Sequence, residues 1–226
     1  MQFLMQGSSY AASIDGVIII VALITGFWLL VAEGFLFWLI WRFRERPGVR
    51  TQYVQGDEKH IKAFINVPHG FILVCDVLII VAAMRVWYTI KQDLPRADHT
   101  VRVIGQQWAW VFQYPGYDGR LDSPDDFYTT DEMFVETNKT YHFQLRSRDV
   151  IHDFSVPVFR LKQDAVPGRT ITGWFKPTRT GVFDIQCAEI CGLGHGVMAG
   201  RIHVQNAAQH AAWLANQNSA AAAAAR

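Results

Sequence analysis

The sequence carries almost no net charge, and it has no basic stripe. Its 226 residues include 21 Lys and Arg against 20 Asp and Glu, which leaves a balance of +1. Proteins that bind nucleic acid normally present a basic face to the phosphate backbone. We therefore expect no nucleic-acid partner.

Cysteine is also scarce, and its spacing excludes two kinds of site. The chain has three cysteines and no Cys-x-x-Cys-His sequence, so it carries no covalently attached c-type haem. It has no Cys-x-x-Cys motif either, which argues against a thioredoxin-like redox site. Cys75 lies in an apolar run, where cysteine packs as a small apolar residue. Cys187 and Cys191 lie in the C-terminal half, where oxidising conditions would allow a disulfide unless a metal held both as thiolates.

Charge is nearly absent from two long runs. Residues 16–41 contain one charged residue, Glu33. At about 1.5 Å per residue, a helix of that length exceeds the roughly 30 Å hydrocarbon core of a bilayer. Residues 69–90 are apolar except for His69, Asp76 and Arg85. A cleavable signal peptide is the alternative for the first run, but no basic residue precedes it and the run is too long.

The basic residues between the two runs predict the orientation. Residues 42–68 hold six Lys and Arg, whereas residues 1–15 hold none. Because such residues are retained on the cytoplasmic side, we expect a transmembrane hairpin at 16–91 with its loop, 43–68, in the cytoplasm. Residues 1–15 would form a short outer segment. Both termini would then lie on the outer, periplasmic face of a bacterial-type inner membrane.

The half of the chain after the second run has the pattern of a β domain, which we assign to residues 98–205. Short runs with alternating apolar residues are separated by turn pairs such as Pro115-Gly116 and Asn138-Lys139, as is typical of an all-β sandwich or barrel. Residues 206–226 predict a short helix followed by an alanine-rich disordered tail. The predicted strands are residues 101–104, 110–112, 141–145, 170–175, 182–185 and 201–204.

One short segment, residues 187–198, gathers side chains that bind soft metals. Cys187, Cys191, His195 and Met198 lie within these twelve residues. Thiolate, imidazole and thioether ligands in an oxidising compartment favour copper, and the interspersed glycines let the loop fold back on itself. A zinc site and a disulfide remain alternatives, although zinc would make little use of a methionine.

The second cysteine needs an explanation, because a single copper bound by two histidines, a cysteine and a methionine uses only one. Two thiolates four residues apart can bridge two coppers with one imidazole on each, which predicts a further histidine from elsewhere in the fold. His152, at the entrance of an apparent strand, is the best candidate, with a surface or capping role as the alternative. His142 and His203 fit alternating strand patterns and are predicted to be structural.

With these features in this order, the chain resembles subunit II of the haem–copper cytochrome c oxidases. The resemblance covers nearly the whole length, from the helical hairpin through four motifs at residues 105–114, 148–152, 161–169 and 187–198. It implies a membrane-anchored all-β protein whose cupredoxin-like Greek-key β-barrel holds the dinuclear copper centre called CuA. The ligands that it implies are His152, Cys187, Cys191, His195, Met198 and the backbone carbonyl of Glu189.

The resemblance also implies a function. Single electrons would pass from a cytochrome c, a separate chain, through CuA to a haem in catalytic subunit I, which reduces oxygen to water alongside other oxidase subunits. Trp108 would be the ring through which the electron enters. The Glu189 side chain would reach a Mg²⁺ shared with the catalytic subunit. Acidic residues between 118 and 136, together with Asp149, would dock a basic cytochrome c, with a merely solvated acidic loop as the alternative.

The chain departs from this family in its helices. Where the family places an acid at the mouth of a proton channel, this sequence has Ile61, and Glu58 is the candidate substitute. Glu33 is unusual at mid-membrane, where an ionisable group should face protein rather than lipid.

Other functions are weighed against this one. A quinol-oxidising relative is disfavoured because all five side-chain ligands are present. The CuA subunit of a nitric oxide reductase is a closer alternative, whereas the membrane hairpin argues against the soluble nitrous oxide reductase. A non-redox, zinc-stabilised, membrane-anchored binding module is the alternative from another class.

Overall fold

The computed structural model describes residues 5–51 and 53–224, and the chain divides into two compact units. One unit is Ser13–Tyr88. The other combines the N-terminal residues up to Ala12 with Thr89 and everything after it.

The first unit is built from the two apolar runs. Helix α1 spans Ala11–Arg42 and helix α2 spans Lys59–Lys91, so both predicted helices are present and both begin earlier than their apolar runs. Hydropathy marks only the part of a helix that suits a bilayer, whereas the helix itself continues into polar residues. Pro68, expected at the start of the second helix, lies inside α2 instead, as proline can in a membrane helix.

Both helices leave their apolar side chains uncovered. In α1 and α2 alike, none of the most apolar 18-residue window is buried within the chain. A core helix of a soluble protein buries its apolar face against other elements. The exposure of both helices is therefore what membrane-spanning segments would show, and Glu33 is exposed on α1 as well.

The second unit is a β domain. Its ten strands, counted over the described residues, are β1 (His99–Gln106), β2 (Ala109–Tyr114), β3 (Phe127–Thr130), β4 (Glu132–Glu136), β5 (Tyr141–Ser147), β6 (His152–Val156), β7 (Leu161–Ala165), β8 (Ile171–Phe175), β9 (Gly181–Cys187) and β10 (Ala199–Gln205). One sheet has the spatial order β3-β2-β1-β5-β8, and the other has the order β4-β10-β9-β6-β7. Neighbouring strands are antiparallel, except that β1 with β5 and β4 with β10 run parallel.

Aromatic side chains from the two sheets meet in the core of this domain. Phe154 on β6 lies with its ring centroid 5.4 Å from Trp110, 6.4 Å from Phe112 and 5.9 Å from Phe143, all on strands of the other sheet. All four side chains are fully buried. The predicted all-β class is therefore confirmed, as a sandwich of two sheets. Strands β3, β4 and β7 are missing from the predicted set, whereas the strand expected at His152 is present as β6. All five positions of β6 are buried.

The N-terminal residues are part of the β domain. The Gly7 N–H donates to the Val158 carbonyl and the Thr178 N–H donates to the Gly7 carbonyl, each at 2.8 Å. Tyr10 is buried, with its ring edge-on to Trp174 at a centroid distance of 5.1 Å. No local pattern predicted structure for residues 1–15, and residues 1–4 of that segment lie outside the described part. These contacts make the residues up to Ala12 part of the β-domain unit.

The C-terminal residues are helical to the end of the described chain. Helix α3 spans Ala207–Ala224, whereas disorder was expected for the alanine-rich residues 220–225, the last of which lies outside the described part. Alanine has the highest helix propensity of all residues, which accounts for the difference. The first turns of α3 pack on the domain, since His210 is buried and Trp213 stacks on Phe134 with ring centroids 4.6 Å apart.

Candidate metal centre

Two neighbouring strands bring the predicted ligands together. β9 ends at Cys187 and β10 begins one residue after Met198, so the loop between them leaves and returns at the same end of the sheet. The Cys187 N–H donates to the Met198 carbonyl at 3.2 Å and closes the loop. His152 is the first residue of β6, which pairs with β9. Side chains 35 residues apart in the sequence therefore meet at one point.

The ligand atoms form a compact cluster. The two sulphur atoms, Cys187 Sγ and Cys191 Sγ, are 3.8 Å apart. Cys187 Sγ lies 3.9 Å from His152 Nδ1 and 3.3 Å from the carbonyl oxygen of Glu189. Cys191 Sγ lies 3.7 Å from His195 Nδ1 and 3.8 Å from Met198 Sδ. All six predicted donor groups are thus brought together by the fold, with a cysteine at the centre of each half.

These separations fit metal binding and not a disulfide. At a tetrahedral angle, a sulphur about 2.3 Å and a nitrogen about 2.0 Å from one metal ion lie about 3.5 Å apart, and two such sulphurs lie about 3.8 Å apart. The observed separations of 3.7–3.9 Å between the sulphur atoms and their side-chain neighbours are close to these values. A disulfide requires about 2.05 Å, and both cysteines are free. The buried thioether of Met198 suits copper better than zinc.

The thiol of Cys191 stays protonated when no cation is present. Burial, and after it the neighbouring thiol of Cys187, raises the pKa of Cys191 to about 11. A bound cation would have to displace this proton, as metal ions do at thiol sites. Cys191 therefore becomes a thiolate only when a cation supplies the compensating charge.

Trp108 lies directly against the ligand loop. Its indole Nε1–H donates to the carbonyl of Cys191 at 3.3 Å, and the ring is 41% exposed. A Cβ added at Gly194 would overlap the Trp108 ring, so the glycine allows the ring to lie on the loop backbone. Gln107 donates from its side-chain Nε2 to the same carbonyl at 2.8 Å. Trp108 therefore contacts both solvent and the backbone of Cys191, a predicted ligand.

Asp149 and Gln107 are contacts of the site that the sequence did not reveal as such. The Asp149 Oδ1 accepts a hydrogen bond from His152 Nε2 at 2.8 Å. Burial alone would raise the pKa of Asp149, but hydrogen bonds from His152 and from backbone N–H groups outweigh it and lower the pKa. The only sequence signal for these two residues was their position inside the motifs that contain Trp108 and His152.

Much of the acidic stretch between 118 and 136 has internal partners. Asp122 forms an ion pair with the buried guanidinium of Arg102, whose hydrogen bond holds the pKa of Asp122 below its usual range. Asp126 accepts from the Asp122 N–H at 2.8 Å, and Asp131 accepts from the Trp110 N–H at the same distance. Part of the stretch is strand β3 and β4 rather than loop. Because these three carboxylates have partners within the domain, we no longer assign them to docking. Docking of a cytochrome c by the rest of the acidic stretch stays a prediction.

Glu189 presents its two groups in different directions. Its carbonyl oxygen faces Cys187 Sγ at 3.3 Å, whereas the residue as a whole is exposed. The side chain is therefore available for a second role outside the cluster, and a carboxylate is the ligand type that Mg²⁺ prefers.

Comparison with known proteins identifies relatives over most of the chain. A family profile described as the periplasmic domain of cytochrome c oxidase subunit II matches residues 99–206. The alternative cytochrome c oxidase subunit 2 of Bradyrhizobium diazoefficiens is 33% identical over 226 residues, which cover 90% of this chain and 80% of the relative. Cytochrome c oxidase subunit 2 of Cereibacter sphaeroides is 34% identical over 233 residues, covering 89% of this chain and 74% of the relative.

A solved structure agrees with the β domain. The crystal structure of the periplasmic domain of subunit II of cytochrome oxidase from Bradyrhizobium japonicum is 33% identical. It superposes with a TM-score of 0.50 and covers 56% of this chain and 97% of the crystallised domain.

Proposed function

Because the chain belongs to the cytochrome c oxidase subunit II family, we propose that its six clustered donors hold the dinuclear copper centre CuA. The family makes the chain the subunit through which electrons enter a haem–copper oxidase, an oxidoreductase, and makes it a two-pass membrane protein with an outer β domain. The observation that carries the proposal is the pair of free thiols 3.8 Å apart, each with an imidazole within 4 Å.

The roles of the donors follow from their positions. Cys187 and Cys191 would supply the two thiolates that hold the copper pair, since each sulphur faces both the other sulphur and a histidine. Met198 and the Glu189 carbonyl would be the weaker ligands, one beside each cysteine. When bound, the copper pair supplies a one-electron carrier whose charge is shared over two metals and two thiolates. The β scaffold holds these side chains in place before and after electron transfer.

We propose Trp108 as the residue through which electrons arrive. Its ring is partly exposed and its Nε1–H donates to the Cys191 carbonyl, so it links the surface to the ligand backbone. The donor would be a cytochrome c supplied as a separate chain, and the acceptor a haem in catalytic subunit I.

Two further assignments belong to this proposal. The exposed Glu189 side chain would contribute to a Mg²⁺ site shared with the catalytic subunit, and the exposed Glu33 would need cover from a neighbouring oxidase subunit in the membrane. Both chain termini would lie on the outer face. The packing of Gly7 and Tyr10 on the β domain supports that topology for the N-terminus.

Metal analysis of the full chain in detergent tests the proposal. We expect two coppers per chain and a mixed-valence optical and EPR signal. Cys191→Ser should abolish that signal, whereas Cys75→Ser, the same substitution in α2, should leave it intact. One zinc and no copper would instead support the zinc-stabilised module. Relatives of this chain are cytochrome c oxidase subunits, so the nitric oxide reductase alternative is not favoured.

A further inference from the structure

The Asp149 carboxylate joins a predicted metal ligand to the turn that carries Trp108. Its Oδ1 accepts from His152 Nε2 at 2.8 Å, and its Oδ2 accepts from the Gln107 backbone N–H at 2.7 Å. The Val150 N–H donates to Oδ1 as well, at 2.7 Å. Both carboxylate oxygens therefore have partners within the domain, although the side chain is 31% exposed.

Gln107 extends the same chain of hydrogen bonds to the loop that carries Cys191. Its backbone N–H is bound by Asp149, and its side-chain Nε2 donates to the Cys191 carbonyl at 2.8 Å. The connection therefore runs from His152 through Asp149 and Gln107 to Cys191. It links the two halves of the donor cluster on the side that faces Trp108.

The strand register explains why these residues meet. β1 and β5 run parallel with an offset of 42 residues, from His99 opposite Tyr141 to Gly105 opposite Ser147. Gln107 and Asp149 have the same offset of 42 residues, just beyond the paired strands. The hydrogen bond between them thus follows the register of β1 with β5 and places both residues beside the donor cluster.

We propose that Asp149 and Gln107 are positioning residues for the copper centre, which hold His152 and the Cys191 loop in register with each other. This inference rests on the proposed copper centre. Because Nδ1 of His152 faces Cys187 Sγ, the ring N–H is at Nε2 and donates a hydrogen bond to Asp149 Oδ1. A carboxylate in that position fixes the ring orientation and makes the imidazole a stronger electron donor through Nδ1. Gln107 fixes the carbonyl of Cys191 and, with it, the backbone on which Trp108 rests.

This role differs from docking, to which Asp149 was first assigned with the acidic stretch. A docking carboxylate acts on an approaching partner, so its removal would change only reactions that involve the donor protein. A positioning carboxylate acts on the metal centre itself, so its removal would change the isolated chain. The two roles can therefore be separated without any donor present.

The first test compares Asp149→Asn with Asp118→Asn in the full chain, loaded with copper in detergent. Both substitutions remove one negative charge, but Asp118 is exposed and its carboxylate accepts from the nearby Arg120 N–H. An asparagine at 149 keeps one acceptor oxygen, while its amide nitrogen cannot accept from a second N–H. We expect Asp149→Asn to bind copper about 10- to 100-fold more weakly in chelator competition. We also expect its reduction potential to rise and its histidine hyperfine couplings to change.

The second test uses Gln107→Leu, which keeps the backbone N–H that Asp149 accepts but removes the donor to Cys191. We expect its sulphur-to-copper charge-transfer bands to shift while the histidine couplings stay close to the wild-type values. Thermal melting of the metal-free chains checks that each variant folds, and if Asp149→Asn does not, Gln107→Leu carries the test.

The outcomes separate this inference from the function beneath it. If Asp149→Asn and Asp118→Asn match the wild type in copper affinity, potential and spectra, the positioning role is wrong while the copper centre stands. The positioning role is also wrong if Gln107→Leu leaves the charge-transfer bands unchanged. If the wild-type chain fails to take up two coppers, the proposed function itself fails and the positioning role falls with it.

Discussion

The contact between Trp108 and Gly194 offers a direct test of how electrons reach the site. In Gly194→Ala the new Cβ would lie 2.6 Å from Cγ and 2.8 Å from Cε3 of the Trp108 ring. Carbon atoms rest at about 3.5 Å from each other, so the indole must move by about 1 Å. The hydrogen bond from Trp108 Nε1 to the Cys191 carbonyl is already 3.3 Å long, and such a shift takes it beyond hydrogen-bonding distance.

The size of the expected effect follows from that lost contact. A hydrogen bond of this kind contributes about 1 kcal/mol net, which corresponds to about a fivefold change in an equilibrium. If the docked indole is the form that accepts electrons, the rate of reduction by cytochrome c should fall at least about fivefold. Copper content and reduction potential should change little, because no donor side chain is altered.

The assay is stopped-flow reduction of the assembled oxidase by reduced cytochrome c. The matched control is Gly196→Ala, two residues further along the same loop, where an added Cβ meets nothing within 4 Å. We expect the control to react at the wild-type rate. Equal rates for the two variants, with copper intact in both, would refute the proposed route through Trp108.

Three further predictions concern the stability of the β domain. Phe154→Ala should lower the free energy of unfolding by about 3–5 kcal/mol in a denaturant titration, because it removes the ring at the centre of the core. The control Val182→Ala, at a site that is 45% exposed, should change this free energy by less than about 0.5 kcal/mol. Burial, and after it His99, lowers the pKa of His210 to about 4, so between pH 6.5 and 4 the unfolded state takes up a proton that the folded state excludes. Stability should therefore fall by on the order of 3 kcal/mol over that range, and His210→Leu should flatten the fall; parallel pH profiles would contradict this. Removal of copper with a chelator should lower the unfolding temperature, since a ligand at about 1,000 times its Kd stabilises the folded state by about 4 kcal/mol. An unchanged unfolding temperature would mean that copper does not bind the folded state.

The sequence carried the features that depend on local chemistry. Two apolar runs predicted two helices, and both are present as α1 and α2. Residue types within 187–198 predicted a soft-metal cluster, and the structure brings those side chains together with His152. Metal ligands can be recognised in this way because few other roles combine two cysteines, a histidine and a methionine in a glycine-rich loop.

Features that depend on tertiary contact did not show in the sequence. Gly7 and Tyr10 bind the β domain through contacts with residues about 150 positions away, and no local pattern reveals such partners. β6 is buried at all five positions, although polar and apolar residues alternate from Asp153 to Val156 as in a half-exposed strand. The acidic stretch suggested a surface for a basic partner, yet Asp122 and Asp131 are engaged by Arg102 and the Trp110 backbone. A count of charges cannot distinguish a carboxylate that is bound within the domain from one that is free to bind another protein.

The surroundings of the metal ligands are the clearest case of this limit. His152 could be chosen from eight histidines because its motif fits a ligand, but its partner Asp149 looked like one more surface acid. Only the parallel register of β1 with β5 brings the Gln107 N–H to the same carboxylate. Register is set by the packing of the whole sheet, because a slip of one residue would turn every side chain to the other face. Residue types in one loop therefore reveal most ligands of this centre, whereas the hydrogen bonds that orient them depend on the pairing of β1 with β5. Substitutions in β1 or β5 that shift this register should weaken copper binding although they change no ligand.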